Sequence, residues 1–393
     1  MGPHVLCIGG EDHALRIPYL KALQSRGFRI TAAGTGDIGP FEHAGIAYRP
    51  YHFDRFLSLQ GHRGAIRSIA RIAEECRPDI VHAFDTKPNL MVPFAIRMTV
   101  PTVRTINGLG WVFSSKETTA GALRPVYRVL QRVCDRWTNA TVFQNRDDQE
   151  FFRAHRLVRR SEACLIAGSG IDVAEFARRQ GSAENVKALR AKLGIGSAKV
   201  VLTVSRLTRQ KGIPTLLKAA ATVCAKRSDV RFLLVGPRES EGRFAVSQSE
   251  IERHRRYVIA TGARTDVPAL LRLADVFAFP SEYREGVPRV LLEAGLAGVP
   301  IVTTRMPGCS DFVSDGSNGY LITPGDHRAL AARILTLLDD EEKARNMGAR
   351  STALVKDRFS LDGVVAQYIN VYGRVLGAAT RTEAGQLMAR LRA

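Results

Sequence analysis

The sequence predicts an α/β protein made of two doubly wound domains, each a parallel sheet with helices on both faces. Three observations predict it. Short apolar runs alternate with longer amphipathic stretches along the chain, the pattern of strands joined by crossover helices. The alternation is run through twice, and 393 residues exceed what a single core usually takes. Between the two series, residues 182–199 are polar and helix-patterned and close at Gly194-Ile-Gly-Ser.

In chain order, the first series of strands reads as residues 5–8, 28–32, 80–84, 102–106 and 140–143. The second reads as 200–204, 230–235, 276–279 and 301–304. Each is an apolar run of strand length, most of them rich in β-branched or aromatic residues. Helical periodicity fills the intervals, as in 64–75, where Ile66, Ile69, Ala70 and Ala73 share a face. The expected domains are 1–181 and 182–365, with 366–393 a C-terminal helix or tail packing back toward the first. In doubly wound sheets, ligands sit at the carboxyl ends of the strands.

Composition narrows the function. A formal net charge of +19 implies an anionic partner: nucleic acid, a membrane surface or a phosphorylated substrate. The arginines are spread over both halves, and no zinc-finger spacing, aromatic RNA-binding box or basic zipper accompanies them. The six cysteines stand singly, without metal-ligand spacing, as expected of a reduced cytoplasmic protein. No run approaches the roughly 20 apolar residues that span a bilayer. The opening residues show no signal-peptide pattern, and Leu6 stands where a myristoylation motif wants Ser or Thr.

The chemistry concentrates in residues 275–295. Glu285 and Glu293 are separated by seven residues in a strand–loop–helix pattern, with Val287-Pro288 at the helix entry. Proline suits a first helical position, and the free N–H groups there favour a phosphate. Two carboxylates so placed can reach opposite ends of one anionic, hydroxyl-rich ligand; solvated helix acids are the plainer alternative. Arg206 and Lys211 follow a strand directly. They could neutralise a diphosphate without metal, Arg as a fork and Lys as a point charge, and the chain offers no Asp-x-Asp metal pair. Gly9 and Gly10 follow the first strand, where backbone could approach a phosphate, but no third glycine completes a dinucleotide fingerprint.

These pieces, taken in order, carry a resemblance over nearly the whole chain. Val204-Ser-Arg-Leu-Thr-Arg-Gln-Lys-Gly, Leu234-Val-Gly-Pro, the Glu285/Glu293 run, Gly308 and Asn318-Gly-Tyr-Leu-Ile resemble a family 4 retaining glycosyltransferase. That resemblance implies the GT-B fold, two Rossmann-like domains facing each other across a cleft, the first binding acceptor and the second a nucleotide-sugar, expected to be a UDP-sugar. Val81-His-Ala-Phe-Asp-Thr-Lys-Pro, Thr105-Ile-Asn-Gly-Leu-Gly, Phe143-Gln-Asn and Gly168-Ser-Gly-Ile-Asp are similar to a subgroup extending sugars on polyprenyl diphosphate in capsule, exopolysaccharide or glycan assembly.

By the same resemblance Glu293 binds the nucleotide ribose and Glu285 the donor sugar, while the backbone of Gly286, Val287 and Pro288 caps the phosphates. Gly9 and Gly10 would face those phosphates, and Asp266 would stand beside the base. Many relatives carry His-Gly where this chain has Asn107-Gly108. An amide hydrogen-bonds a sugar hydroxyl but shuttles no proton, so no histidine base is assigned. Lys87 and Arg104, near strand ends, are the expected contacts of an acceptor diphosphate, and His82 reads as a packed core residue. No cofactor or metal is expected. A related-fold epimerase or phosphorylase, or a basic nucleic-acid-binding protein, are the alternative readings.

A peripheral membrane contact is expected on residues 123–137. Arg124, Arg128, Arg132 and Arg136 recur every four residues, with Val126, Val129, Leu130, Val133 and Trp137 gathered opposite. The apolar side would pack on the sheet and the arginines would meet solvent or anionic headgroups at the cytoplasmic face of the cell membrane.

Overall fold

The computed structural model describes residues 2–52, 59–114 and 117–392. The chain divides into two compact units, Met1–Gly170 with Leu361–Ala393, and Ile171–Ser360. The first division falls at 170/171 where the sequence pattern suggested 181/182. The polar stretch there is an exposed helix, Ala183–Lys192, capped by the Ser182 side chain and belonging to the second unit. The Ile171 N–H donates to the Phe359 carbonyl at 2.9 Å, so the first and last residues of the second unit lie side by side.

The first unit holds β1 (His4–Ile8), β2 (Arg29–Gly34), β3 (Ala47–Pro50), β4 (Ile80–Phe84), β5 (Thr102–Ile106), β6 (Ala140–Phe143) and β7 (Glu162–Leu165). They form one seven-stranded sheet in the order β3-β2-β1-β4-β5-β6-β7. All pairs are parallel, with Val5 opposite Ile30 on one side and Ile80 on the other. Alternate residues feed opposite faces, as the pleat requires. Leu6, Ile8, Val81 and Ala83 pack with Ile69, Met91 and Val92, while Val5, Cys7, Ile80 and Val103 pack with Leu20, Leu23 and the C-terminal helix. Strand order reverses between β1 and β4, so the loops after them open a crevice at the carboxyl edge.

The second unit holds β8 (Lys199–Val204), β9 (Val230–Val235), β10 (Val258–Ala260), β11 (Val276–Phe279), β12 (Ile301–Thr304) and β13 (Gly319–Ile322). Its six strands run parallel in the order β10-β9-β8-β11-β12-β13, with the reversal between β8 and β11. Buried on one face, Val201, Phe232, Leu234, Val276 and Val302 meet Leu216, Ala220, Leu330 and Ile334 of the covering helices.

The C-terminal helix, Leu361–Arg392, returns to the first unit. Val364, Val365, Tyr368, Val371, Tyr372 and Val375 recur at helical spacing and are buried against that sheet. Its polar groups are satisfied inside the core. The Tyr372 hydroxyl meets His82 Nδ1 at 2.6 Å and the Tyr19 hydroxyl at 2.8 Å, and Tyr368 meets the Thr105 hydroxyl at 3.1 Å. His82 is thus a packed core residue, its pKa held down first by burial and then by Arg16.

The helix Thr118–Asp135 is turned differently from its sequence pattern. Its buried face is Ala120, Tyr127, Gln131, Cys134 and Asp135. Val126 and Val129 point outward, 52% and 55% exposed, and Leu130, Val133 and Trp137 are only half-buried. The reason lies in what the helix covers. Gln131 accepts a hydrogen bond from buried Arg104, and Tyr127 packs edge-on against Phe113. Arg124 and Arg128 lie over Phe113 and Phe151, leaving Arg132 and Arg136 on the exposed side with the two valines.

Candidate active site

In the second unit, the predicted residues cluster at the carboxyl ends of β8 and β11. After β8 the chain passes Arg206 and makes a tight turn, Arg209–Lys211, ending at Gly212 with φ 69°. A side chain at Gly212 would strike the Pro280 carbonyl, so the turn can press against the loop after β11 only because this residue is glycine. That contact brings Lys211 to Glu285. Lys211 Nζ lies 2.7 and 2.8 Å from the two carboxylate oxygens, and the Ser281 hydroxyl donates to one of them at 3.1 Å. Lys211 is buried, with its ammonium 5.4 Å from the centre of the Phe279 ring and 5.6 Å from that of Tyr283.

The Glu285 loop is braced from three sides. The Glu282 N–H donates to the Gln210 carbonyl at 2.9 Å, and the Thr304 hydroxyl at the end of β12 donates to the Ser281 carbonyl at 2.6 Å. Gly308, at φ 85°, lies so close to the Glu285 and Gly286 carbonyls that any side chain there would strike them. Gly286, Val287 and Pro288 follow at the start of the helix Arg289–Leu296; all three are buried, and Pro288 is its N-cap. Glu293 lies one turn into the helix, its carboxylate 3.1 Å from Arg289 Nε. Arg206 is half-exposed and pairs with Glu241 at 3.0 Å rather than joining Lys211. Asp266 stands just before the helix Val267–Leu273 without capping it and pairs with Arg264 at 2.5 and 2.8 Å, a bond that holds its carboxyl below the ordinary range against the opposing effect of burial.

In the first unit the residues converge on one that the sequence pattern left without a role, Asp85. It follows β4 directly with φ 68° and ψ 159°, a region essentially reserved for glycine and costing on the order of 1–3 kcal/mol. Three segments donate to its carboxylate: the Gly10 N–H at 2.9 Å, Arg16 at 2.8 Å and the Asn107 amide at 2.8 Å. Burial pushes its pKa up, but the Arg16 guanidinium and the Gly10 N–H outweigh that, and the carboxyl sits below its ordinary value. Lys87 lies two residues on, in the first turn of the helix Thr86–Ile96. The signal that could have found Asp85 is an acid placed directly between a fully buried strand and a helix start.

Two expectations are corrected here. Arg104 makes no contact with the ligand-facing edge. It is 0% exposed on the other side of β5, bonded to Gln131 at 2.7 Å and Thr141 at 3.2 Å. It stands in the middle of β5 rather than at its end, and the pleat turns it toward Gln131 and Thr141. Gly9 and Gly10 do not offer free amides to a phosphate either: Gly9 N–H donates to the Ala33 carbonyl at 2.9 Å and Gly10 N–H to Asp85. Gly9 is needed because the His13 ring lies where its side chain would stand.

Comparison with known proteins agrees with this geometry. Residues 18–168 match the family described as "Glycosyl transferase 4-like domain", and residues 185–353 match "Glycosyl transferases group 1". Over 94% of this chain, the sequence is 24% identical to the Campylobacter jejuni N,N'-diacetylbacillosaminyl-diphospho-undecaprenol alpha-1,3-N-acetylgalactosaminyltransferase, covering 97% of that protein. It is 26% identical to the Escherichia coli UDP-Gal:alpha-D-GlcNAc-diphosphoundecaprenol alpha-1,3-galactosyltransferase over 73% of each chain. Among solved structures, Anabaena HepE in complex with UDP superposes with a TM-score of 0.77 at 23% identity, covering 95% of this chain and all, 100%, of that one. Sucrose-phosphate synthase from Thermosynechococcus elongatus gives 0.79 at 17% identity, covering 96% of this chain and 100% of that one. With both halves matched and the fold shared, the chain belongs to the glycosyltransferases of GT-B fold, a group 1 glycosyl transferase domain preceded by a 4-like domain.

Proposed function

We propose that this glycosyltransferase moves a sugar from a UDP-sugar onto a saccharide carried on polyprenyl diphosphate, in the assembly of a cell-surface polysaccharide or glycan. The observation that carries the donor half is the Lys211–Glu285 pair, braced at the strand reversal of the second unit. Lys211 and Arg206 neutralise the departing diphosphate, so no metal is required. Glu285, held by Lys211, presents a carboxylate to the hydroxyls of the donor sugar. Glu293 binds the ribose once Arg289 yields it, the backbone at Gly286, Val287 and Pro288 meets the phosphates, and Asp266 stands beside the base.

Transfer proceeds with retention. The acceptor oxygen bonds to the anomeric carbon as the bond from that carbon to the phosphate oxygen breaks. The electron pair leaves with the diphosphate, and the hydroxyl proton passes to its departing oxygen. Fixed cations aimed at that developing charge supply much of the acceleration. The acceptor half rests on the relatives' printed substrates, both saccharides on diphospho-undecaprenol, and on Lys87 and Asn107 at the first unit's carboxyl edge.

The lipid-linked acceptor places the enzyme at the inner face of the cell membrane, attached peripherally. Supporting this, Val126 and Val129 stand exposed beside Arg132 and Arg136 on one helix. Among the described residues no helix is long and apolar enough to cross a membrane. The reading is tested with purified enzyme, a panel of nucleotide sugars and a panel of polyprenyl-diphosphate saccharides. Transfer from a UDP-sugar, dependent on the lipid-linked acceptor and surviving EDTA, is expected. Acceptor-independent turnover of the donor as the only activity would point to an epimerase or hydrolase instead.

A further inference from the structure

We infer that Asp85 is the residue that takes hold of the acceptor saccharide, its carboxylate accepting a hydrogen bond from one ring hydroxyl. The assignment rests on the lipid-linked acceptor proposed above and deepens it. Three independent features point to it. The backbone at Asp85 is held at φ 68° and ψ 159°, a conformation that a residue chosen for the fold alone would leave to glycine. Strain of this kind persists where the surroundings over-determine it, and here the loop after β1, the segment carrying Arg16 and the loop after β5 all fasten the same carboxylate.

The second feature is capacity. Two carboxylate oxygens offer about four acceptor sites, and three donors occupy them. The side chain remains 28% exposed, and three donors leave about one of those acceptor sites for a ligand. The third is charge. Arg16 already balances Asp85, and the ring of Phe84 lies 4.2 Å from that guanidinium. A carboxylate with a balanced charge and a spare acceptor site suits a neutral hydroxyl and disfavours a phosphate. It is therefore the sugar and not the diphosphate that this group reads, while Lys87, two residues on, is the cation at the start of the following helix. Because Arg16 and the Gly10 N–H keep Asp85 ionised, it orients the hydroxyl as an acceptor, and the proton leaves to the departing diphosphate.

The test compares wild type and Asp85→Asn, each as the full chain, on polyprenyl-diphosphate N-acetylhexosamines and on forms of them lacking one ring hydroxyl at a time. Wild type should lose about tenfold to a hundredfold in kcat/KM on one deoxy acceptor, the scale of a hydrogen bond to a charged group. Asp85→Asn should fall by a similar factor on the intact acceptor and be indifferent to removal of that same hydroxyl. Its affinity for UDP, measured by calorimetry, should stay unchanged. A variant that loses the same factor on every acceptor would show Asp85 to be a brace for its loops and overturn the assignment. Should Asp85→Asn fail to fold, Asp85→Gly, which relaxes the backbone, carries the same comparison. A wild type that glycosylates no polyprenyl-diphosphate saccharide would sink the acceptor class and this assignment together. A wild type that does so while the variant's profile runs parallel sinks Asp85 alone.

Discussion

Lys211 and Glu285 neutralise each other in the free protein, and that pairing sets what their removal should do. On the proposal that the buried Lys211 ammonium neutralises the departing diphosphate, it acts mainly in the transition state, and Lys211→Ala should lose roughly a hundredfold or more in turnover. Circular dichroism should show the variant folded, and chelation should leave wild-type turnover intact. An EDTA-sensitive enzyme, or a Lys211→Ala variant near wild-type activity, would contradict the metal-free clamp. The two glutamates should separate. Glu293→Ala removes the proposed ribose contact and should weaken UDP binding in calorimetry. Glu285→Ala should depress turnover while UDP affinity holds, because the freed Lys211 remains available to phosphate. Equal losses of UDP affinity would refute the division. Much of this cluster was legible in the sequence, since a strand, a loop and a proline-led helix fix where the two acids stand. The contact between Lys211 and Glu285 was not legible: it depends on the Gly212 turn meeting Pro280, a long-range fit between segments about 70 residues apart.

At the scale of elements, the strands that were readable are those buried on both faces, where apolar runs are unbroken. The four edge strands, β3, β7, β10 and β13, escape this reading: β3 exposes Ala47, Arg49 and Pro50, and each of the others has only three apolar residues within the strand, so pairing at the sheet edge decides them. Periodicity also placed a helix over residues 118–135 but misjudged its buried side, because Tyr127 and Gln131 outcompete valines when a buried arginine needs an acceptor. The packing decides which variant tests a membrane contact. Arg124 donates to the Val112 carbonyl at 3.0 Å and Arg132 to that of His155 at 3.0 Å, so replacing all four arginines by glutamine disturbs packing as well as charge. The cleaner variant is Val126→Ser with Val129→Ser, which leaves every arginine in place. Losing two exposed apolar side chains from an interfacial helix should lower sedimentation with anionic liposomes several-fold, and salt should weaken what remains. Affinity for UDP should not move. Liposome binding equal to wild type would remove this helix face from the membrane contact.

For the whole molecule, acid should find the first unit before the second, and the reason is where its histidines lie. His13 is buried against Phe41 beneath the Gly9 turn, its pKa driven down to about 3 by burial and then by the nearby Arg16 charge. His82 is lowered for the same two reasons, and burial lowers His4 as well. A group whose folded pKa lies below its unfolded value gives up stability as pH falls through the unfolded value, because the unfolded chain then binds the proton that the fold excludes. With an unfolded pKa of about 6.5 and a folded one of about 3, His13 alone removes about 2 kcal/mol between pH 7 and pH 5. Asp85 works in a lower window: its depressed carboxyl begins to cost stability only as pH drops below about 4. Both tryptophans, Trp111 and Trp137, belong to the first unit, so urea melts followed by tryptophan fluorescence report that unit alone. The unfolding free energy read this way should drop by at least about 2 kcal/mol from pH 7 to pH 5 through His13, with buried His82 adding in the same direction. Replacing His13 by Phe, which keeps the ring against Phe41, should remove about 2 kcal/mol of that dependence whatever it does to stability at pH 7. A His13→Phe melt series parallel to the wild-type series across this range would mean that the ring is protonated within the fold and that its burial does not set its charge.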